Sequence, residues 1–333
     1  MTSADGSALV VRAPGDLGLE ARGIPEPAPD ELLIEPELVG LCGTDLEIVD
    51  GTIDPAYIRY PLVLGHEWTG TVAEDTVAEG TVAEGTVNGS KGGGGKPRPG
   101  TRVVVEGIIG CGHCLRCRSG DTNLCETYDE IGFTRDGAAA GHVSVPAGLV
   151  HPLAPGVSAE DAVLIEPASV VFRALARAGV TPGCRTLVIG DGTVALLAVY
   201  LLGLWSPAQI VLLGRRDGQA ALAAAAGATD AVVAAFAAAR RGGTVVLLGL
   251  PPRGEPAPVP VDDLVNNDLT IMASFGYTSR AWRDVVTLLN AGRIRPGFLI
   301  THRFGLGEWE AALSTLRGAD SPRGKVLLRI GDG

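Results

Sequence analysis

Residues 186–205 read TLVIGDGTVALLAVYLLGLW, which is an apolar strand, a glycine-bearing turn and an apolar helix in direct succession. In the G-x-G-x-x-A turn, Gly190 permits a tight bend, Gly192 lets a pyrophosphate approach the backbone, and Ala195 lets the helix pack closely on the strand. Such a motif is weak evidence alone. Its position between a strand and a helix predicts an α/β fold with a doubly wound, Rossmann-type parallel sheet that binds a dinucleotide.

The next apolar stretch, QIVLLGRRDG at residues 209–218, indicates which nicotinamide cofactor is preferred. An acidic residue at the end of this strand would hydrogen-bond the ribose 2′-hydroxyl of NAD. The chain instead has Gly214, followed by Arg215 and Arg216. Two guanidinium groups can bind a 2′-phosphate through charge-assisted hydrogen bonds, so the sequence predicts NADP(H) in preference to NAD(H). The alternative interpretation is an exposed arginine pair at a strand end.

Length, composition and charge limit the class of protein. The 333 residues suffice for two domains, and 46% hydrophobic with 20% charged residues is typical of a folded globular chain. A net charge of −11 disfavours nucleic-acid binding. The N-terminus lacks the pattern of a secretory signal, and the apolar run at 194–205 is shorter than the roughly 20 residues that cross a bilayer. We therefore expect a cytoplasmic protein that acts on a small molecule, with no nucleic-acid or membrane partner.

Four of the six cysteines lie in GCGHCLRCRSGDTNLC, residues 110–125, with the spacing C-x2-C-x2-C-x7-C. Thiolates on such short loops can surround one Zn²⁺ tetrahedrally, and four sulfur ligands leave no position for water or substrate. The segment therefore predicts a structural zinc site. Two disulfides or an iron–sulfur cluster are the alternatives. The predicted ligands are Cys111, Cys114, Cys117 and Cys125.

A second set of metal-binding residues is spread over three segments, VGLCGTDLEIVDG at 39–51, PLVLGHEWTG at 61–70 and LIEPASVVF at 164–172. They contain one sulfur, one imidazole and one carboxylate donor. An open catalytic zinc site has three protein ligands and a fourth position for substrate, as this set would provide. Each residue alone is more often simply buried. The candidate ligands are Cys42, His66 and Glu166.

The motifs GLCGTD, GHEWTG, the four-cysteine segment, EPASVV and the glycine-rich turn together resemble those of the zinc-dependent medium-chain alcohol and polyol dehydrogenases. The resemblance covers roughly residues 8–230 and 236–330. It implies two zinc ions per chain, one catalytic and one structural. It also implies hydride transfer between a nicotinamide cofactor and a secondary alcohol of polyol, sugar or cyclitol type, in a homodimer or homotetramer. Two other interpretations stay open: a non-catalytic nucleotide-binding or regulatory protein on a zinc scaffold, and a zinc-free reductase.

The resemblance also implies roles around the catalytic ion. Asp45 would accept the second ring N–H of His66, which fixes the tautomer of that ligand. Glu67 is a nearby carboxylate that can approach the metal. Thr44 would receive the alcohol proton through its hydroxyl group. Some members continue this proton relay with a histidine five residues after the cysteine, where this chain has Glu47.

The resemblance implies a mostly β, GroES-like catalytic domain at residues 1–155, to which residues 294–333 return, and a dinucleotide-binding domain at 156–293. Two features depart from the family. A TVAE repeat at 71–86 lengthens one connection. Near residue 233 the chain lacks the helix and strand that would form the fourth, central strand of the sheet, so we expect a shortened nucleotide domain with unpaired backbone groups.

Overall fold

The computed structural model describes residues 6–74, 97–214, 235–249, 259–318 and 323–331. Within them the chain begins with strands, continues with alternating helices and strands, and ends with two further strands around one helix. The strands are β1 Ser7–Ala13, β2 Asp16–Ala21, β3 Glu31–Leu41, β4 Leu62–Val63, β5 Glu67–Val72, β6 Arg102–Val105, β7 Val143–Pro146, β8 Val150–Pro152, β9 Arg185–Ile189, β10 Gln209–Leu213, β11 Thr244–Leu247, β12 Thr270–Ala273, β13 Ile300–Gly305 and β14 Lys325–Arg329.

The helices differ greatly in length. The two longest, Ile165–Arg177 and Ser279–Asn290, pack against each other. The helices are α1 Gly43–Asp50, α2 Leu115–Ser119, α3 Ala159–Ala162, α4 Ile165–Arg177, α5 Thr193–Leu202, α6 Val261–Asn266, α7 Ser279–Asn290 and α8 Trp309–Arg317. Helix α7 begins where the Thr278 hydroxyl accepts the N–H of Ala281, and α1 ends at Gly51, whose φ of 70° suits a left-handed cap.

The main sheet has the strand order β13-β14-β3-β5-β6-β8, and β7 also pairs with β3. Strand β3 is antiparallel to β5, β7 and β14, so the C-terminal strands complete a sheet that the first part of the chain begins. Alternating side chains of β3 and β5 enter the first hydrophobic core, together with β1. Burial of these branched apolar side chains favours the sheet over any other pairing of the same strands.

The second half of the chain contains two separate parallel pairs among the described residues. Strand β9 pairs with β10, and β11 pairs with β12, but the two pairs are not joined in one sheet. Apolar side chains of the first pair are consequently exposed, with Leu187, Val211 and Leu213 at 38%, 44% and 50%. The position near residue 233, where the sequence predicts the loss of the fourth strand, and most of the TVAE repeat lie outside the described residues.

A second hydrophobic core connects the two halves. Helices α4, α5 and α7 contribute most of it, and Leu38, Val104 and Leu327 add side chains from the main sheet. The helix that carries Glu166 is therefore held against the sheet that carries Cys42 and His66. The predicted fold class, a Rossmann-type α/β half beside a mostly β GroES-like half, is confirmed. The exact domain bounds stay predictions.

None of the helices in the described part of the chain combines the length and apolar character that crossing a membrane requires.

Candidate active site

Cys42, His66 and Glu67 form a group of possible metal ligands where the end of β3 meets the start of β5, two central strands of the main sheet. One donor atom from each lies within 4.8 Å of the others, and Cys42 Sγ is 3.2 Å from His66 Nε2. The register of the sheet explains the meeting: Gly40 of β3 lies opposite Glu67 of β5, so the end of one strand adjoins the start of the other. Residues that are far apart in the sequence thus share one site.

Asp45 faces the imidazole of His66 from the side opposite Cys42. His66 Nδ1 is 3.5 Å from Asp45 Oδ1, while the other carboxylate oxygen accepts the N–H of Cys42 at 2.8 Å. Burial lowers the pKa of His66, but Cys42 and Asp45 together raise it well above its ordinary value. This arrangement leaves Nε2 facing Cys42, as expected when Asp45 holds the second ring nitrogen of a metal ligand.

Lys325 is a buried cation at this site that the sequence analysis did not identify. Its Nζ donates to Glu67 Oε2 at 2.5 Å and to the Leu41 carbonyl at 3.2 Å. Burial lowers the pKa of Lys325, but Glu67 and its acidic neighbours raise it above its ordinary value. Because Lys325 neutralises Glu67, the site can hold several acids close together. A signal existed in the sequence: Lys325 is one of only three lysines and begins the apolar stretch KVLL.

Glu166, expected from the sequence as the third ligand, does not belong to the group of Cys42, His66 and Glu67. It lies near the start of α4, half-buried, and close enough to interact electrostatically with Glu67 and His66. Burial, and then Glu67, raise the pKa of Glu166 to about 7. The structure thus brings two carboxylates to this site, with Glu67 in the group of three donors.

Thr44 lies in the first turn of α1, two residues from Cys42.

The four cysteines of the other segment also meet. One sulfur from each lies within 4.8 Å of the others, and no cysteine of the chain is in a disulfide. Tetrahedral bonds of about 2.3 Å to one Zn²⁺ would separate the sulfur atoms by about 3.8 Å, and Cys111 Sγ is 4.0 Å from Cys117 Sγ. The N–H of Cys114 contributes most to lowering the pKa of the Cys111 thiol to about 6. The donor set fits a single zinc ion.

The glycine-rich turn has the conformation that the motif requires. Gly190 has φ 139°, which only glycine adopts readily, and its N–H donates to the Leu213 carbonyl at 2.9 Å. Gly192 precedes α5 as its N-cap, and Ala195 is buried in that helix. Gly214 follows the end of β10, whereas Arg215 and Arg216 lie outside the described residues.

Comparison with known proteins agrees with this geometry. The profile of the "Alcohol dehydrogenase GroES-like domain" matches residues 28–155. Sorbitol dehydrogenase of Gallus gallus is 31% identical, over 97% of this chain and 96% of its own length. Starvation-sensing protein RspB of Escherichia coli K12 is 27% identical over 97% and 99% of the two chains. L-galactonate-5-dehydrogenase of the same bacterium is 34% identical, but the match spans only 52% of its length and 58% of this chain.

Solved structures resemble the whole described fold. A protein of Sinorhizobium meliloti 1021 that is assigned as a zinc-binding dehydrogenase and bound to NADP has 26% identity and a TM-score of 0.82, covering 97% of this chain and 98% of its own. The alcohol dehydrogenase RspB of Escherichia coli CFT073, in complex with NADH, has 25% identity and a TM-score of 0.82, covering 97% and 99%.

Proposed function

The chain belongs to the zinc-dependent, NAD(P)-dependent medium-chain alcohol and polyol dehydrogenase family, and on that premise we propose that it transfers hydride between a secondary alcohol of polyol, sugar or cyclitol type and NADP. One observation carries the proposal: donor atoms of the Cys42 thiol, the His66 imidazole and the Glu67 carboxylate lie within 4.8 Å of one another, where two central strands of the main sheet meet. Sulfur, nitrogen and oxygen donors in this number are those of an open catalytic zinc site.

When bound, Zn²⁺ supplies Lewis acidity, which makes a substrate hydroxyl easier to deprotonate. Cys42 and His66 are the proposed ligands from the sheet, and a carboxylate is the third. Glu67 is the carboxylate in the group of three donors, and Glu166 is the one that the sequence predicts. The zinc content of Glu67→Gln and Glu166→Gln distinguishes them, because only loss of the true ligand should reduce the zinc content by one ion per chain.

The side chains around the ligands have separate roles in the proposal. Asp45 keeps the proton of His66 on Nδ1, so that Nε2 is available as a donor. Thr44 would relay the substrate proton: its hydroxyl oxygen accepts that proton while its own hydroxyl hydrogen passes on toward solvent. The four-cysteine segment would hold the second zinc ion with four sulfur ligands, which would stabilise that segment and leave no position for substrate.

The preference for NADP rests on Gly214, which removes the carboxylate that would bind the ribose of NAD and repel a 2′-phosphate. The similar structures include one with NADP and one with NADH, so the family accommodates either cofactor. Arg215→Ala should weaken NADPH binding by about tenfold, roughly the effect of losing one charge-assisted hydrogen bond, and should leave NADH binding unchanged. Equal effects on both cofactors would contradict the preference.

The test of the whole proposal is absorbance of the reduced nicotinamide while a panel of secondary alcohols is offered with each cofactor. Cys42→Ser should abolish alcohol oxidation but retain NADPH binding, with Cys184→Ser as the matched control, because Cys184 lies outside both cysteine-containing groups. Undiminished activity of Cys42→Ser would refute the mechanism.

A second candidate is a non-catalytic regulatory protein on the same scaffold. In the described part of the chain the β9–β10 pair is separate from the β11–β12 pair, which favours this candidate, because an interrupted sheet would weaken the nucleotide site. Zinc analysis separates the two candidates. Two zinc ions per chain support the enzyme, whereas one zinc ion without NADPH binding supports the regulatory protein.

A further inference from the structure

Glu130 is a buried acid whose carboxyl group has no hydrogen-bond or ion-pair partner in the described part of the chain. The residue is 7% exposed. Both backbone polar groups of Glu130 are hydrogen-bonded. Its N–H donates to Thr134 Oγ1 at 2.7 Å, and its carbonyl accepts the N–H groups of Phe133, Thr134 and Arg135 at 3.3, 3.0 and 3.0 Å. Only the carboxyl oxygens of Glu130 therefore have unused hydrogen-bonding capacity. Because 7% of the residue stays accessible, it is not completely sealed from solvent.

The turn that carries Glu130 lies against the proposed metal centre. The ring of Phe133 is 4.9 Å from that of His66, and a Cβ added to Gly132 would be 2.9 Å from the Cβ of His66. Burial raises the pKa of Glu130 to about 8, with smaller opposing effects of His66, which lowers it, and Glu166, which raises it. The carboxyl group is therefore within electrostatic range of both residues.

The hydroxyl group of Tyr277 is a second polar group near Glu130 with unused hydrogen-bonding capacity. The backbone N–H groups of Gly107 and Ile108 donate to its hydroxyl oxygen at 2.8 and 3.3 Å, which leaves the hydroxyl hydrogen to be donated. A Cβ added to Gly107 would be 3.1 Å from this hydroxyl oxygen and 3.6 Å from Glu130 Oε1, so the two groups flank the same glycine. Tyr277 and Glu130 come from segments 147 positions apart (277 − 130).

The charges around this space disfavour an anionic ligand. Among the described residues, the buried lysine and arginine side chains are Lys325 and Arg173. Lys325 is paired with Glu67, and Arg173 donates to Ser274 Oγ and to the Phe275 carbonyl at 3.1 and 3.2 Å. Each of these two cations therefore already has a partner among the described residues. A neutral hydroxyl group can instead donate to a carboxyl oxygen and accept from a phenol.

We infer that Glu130 is a specificity-determining residue, which hydrogen-bonds a non-reacting hydroxyl of the substrate and selects neutral polyhydroxy alcohols over simple alcohols and over sugar acids or sugar phosphates. The inference rests on the proposed function, since it concerns the substrate of that same site. Tyr277 supplies the complementary donor. A site built to hydrogen-bond a hydroxyl discriminates strongly against analogues that lack it, because its buried polar groups are then left unpaired.

The test compares kcat/KM of the zinc-loaded full chain for four substrates: sorbitol, 2-butanol, gluconate and sorbitol 6-phosphate. Glu130→Leu should lower kcat/KM for sorbitol about 10- to 100-fold, as expected for loss of a hydrogen bond to a carboxyl group, and change that for 2-butanol less than about threefold. Glu130→Gln keeps hydrogen-bonding atoms in the same shape, so it should lose less on sorbitol than Glu130→Leu does. Because it adds no cation, the two anions should remain poor substrates. Glu126→Gln, an exposed acid on the same segment, is the matched control and should change none of these ratios.

A binding measurement separates this inference from the proposed reaction. Calorimetric titration of sorbitol into the zinc-loaded protein with NADPH should show weaker binding to Glu130→Leu than to wild type. Equal losses on sorbitol and 2-butanol would overturn the inference and assign Glu130 a structural role, as would unchanged selectivity in both variants. If wild type oxidises none of the alcohols yet binds sorbitol through Glu130, the proposed reaction is wrong, and only the hydroxyl-binding role of Glu130 is retained. If Glu130→Leu does not fold, the selectivity of Glu130→Gln between sorbitol and 2-butanol decides.

Discussion

Replacing Lys325 by methionine should destabilise the protein far more than an ordinary substitution in a strand. The Lys325 side chain is 1% exposed and that of Glu67 is 3% exposed, and their charged atoms are 2.5 Å apart. Methionine fills a similar volume but removes the cation, so the carboxylate of Glu67 stays buried without its partner. Removing one member of a buried ion pair costs about 3–5 kcal/mol of unfolding free energy.

The double variant Lys325→Met with Glu67→Gln isolates this effect. Because it removes both charges, it should lose at most about 1 kcal/mol relative to wild type, since replacing a whole buried pair is often nearly neutral. The coupling energy in the double-mutant cycle should then be a few kcal/mol and favourable. Glu310→Gln, an exposed acid on α8, controls for loss of a carboxylate at the surface.

Urea unfolding followed by tryptophan fluorescence measures these differences, in zinc-loaded and metal-stripped protein, because Glu67 is also a candidate metal ligand. With a urea m-value of about 2 kcal/mol/M, Lys325→Met should lower the unfolding midpoint by roughly 2 M. A loss below about 1 kcal/mol in Lys325→Met, or strictly additive effects in the double variant, would refute the reasoning that Lys325 compensates the buried charge of Glu67.

Three further predictions concern other parts of the chain. Tyr277→Phe removes the acceptor of two buried N–H groups, so urea unfolding should show a loss of about 1–3 kcal/mol, and a loss below 0.5 kcal/mol would contradict these hydrogen bonds. The Ser144 hydroxyl donates to Glu31 and is the main cause that lowers its pKa, so this stabilisation is complete above the unfolded-state pKa and is lost as pH falls through the folded-state pKa. Glu31→Gln should therefore be about 0.5–1 kcal/mol less stable than wild type at pH 7, and the difference should shrink as pH falls through the acid range. Amide hydrogens of β9 and β10 should exchange faster than those of β3, because a two-stranded pair has open edges; equal protection would indicate a continuous sheet.

The sequence predicted the chemistry of this protein better than its geometry. Spacing alone identified the four-cysteine group, because its ligands lie within sixteen consecutive positions and a tight loop must bring them together. The strand, glycine turn and helix at 186–205 were predicted for a similar reason, since all their contacts are local. Cys42 and His66 were also predicted, through motifs whose residue types suit a zinc site.

Residues whose importance depends on long-range pairing were harder to predict. Glu67 and Glu166 are both plausible ligands in the sequence, and only the register of β3 against β5 brings Glu67 into the group with Cys42 and His66. Glu130 has no motif, and its role follows from burial beside a turn packed on His66.

The sequence by itself determined the family, the four-cysteine group and the dinucleotide motif, because each depends on residue types at short spacing or in recognisable motifs. Only the tertiary structure decided which acids and cations share the site. Lys325 reaches Glu67 because β14 returns from the end of the chain to pair with β3, and a contact across 258 positions is set by sheet pairing and burial.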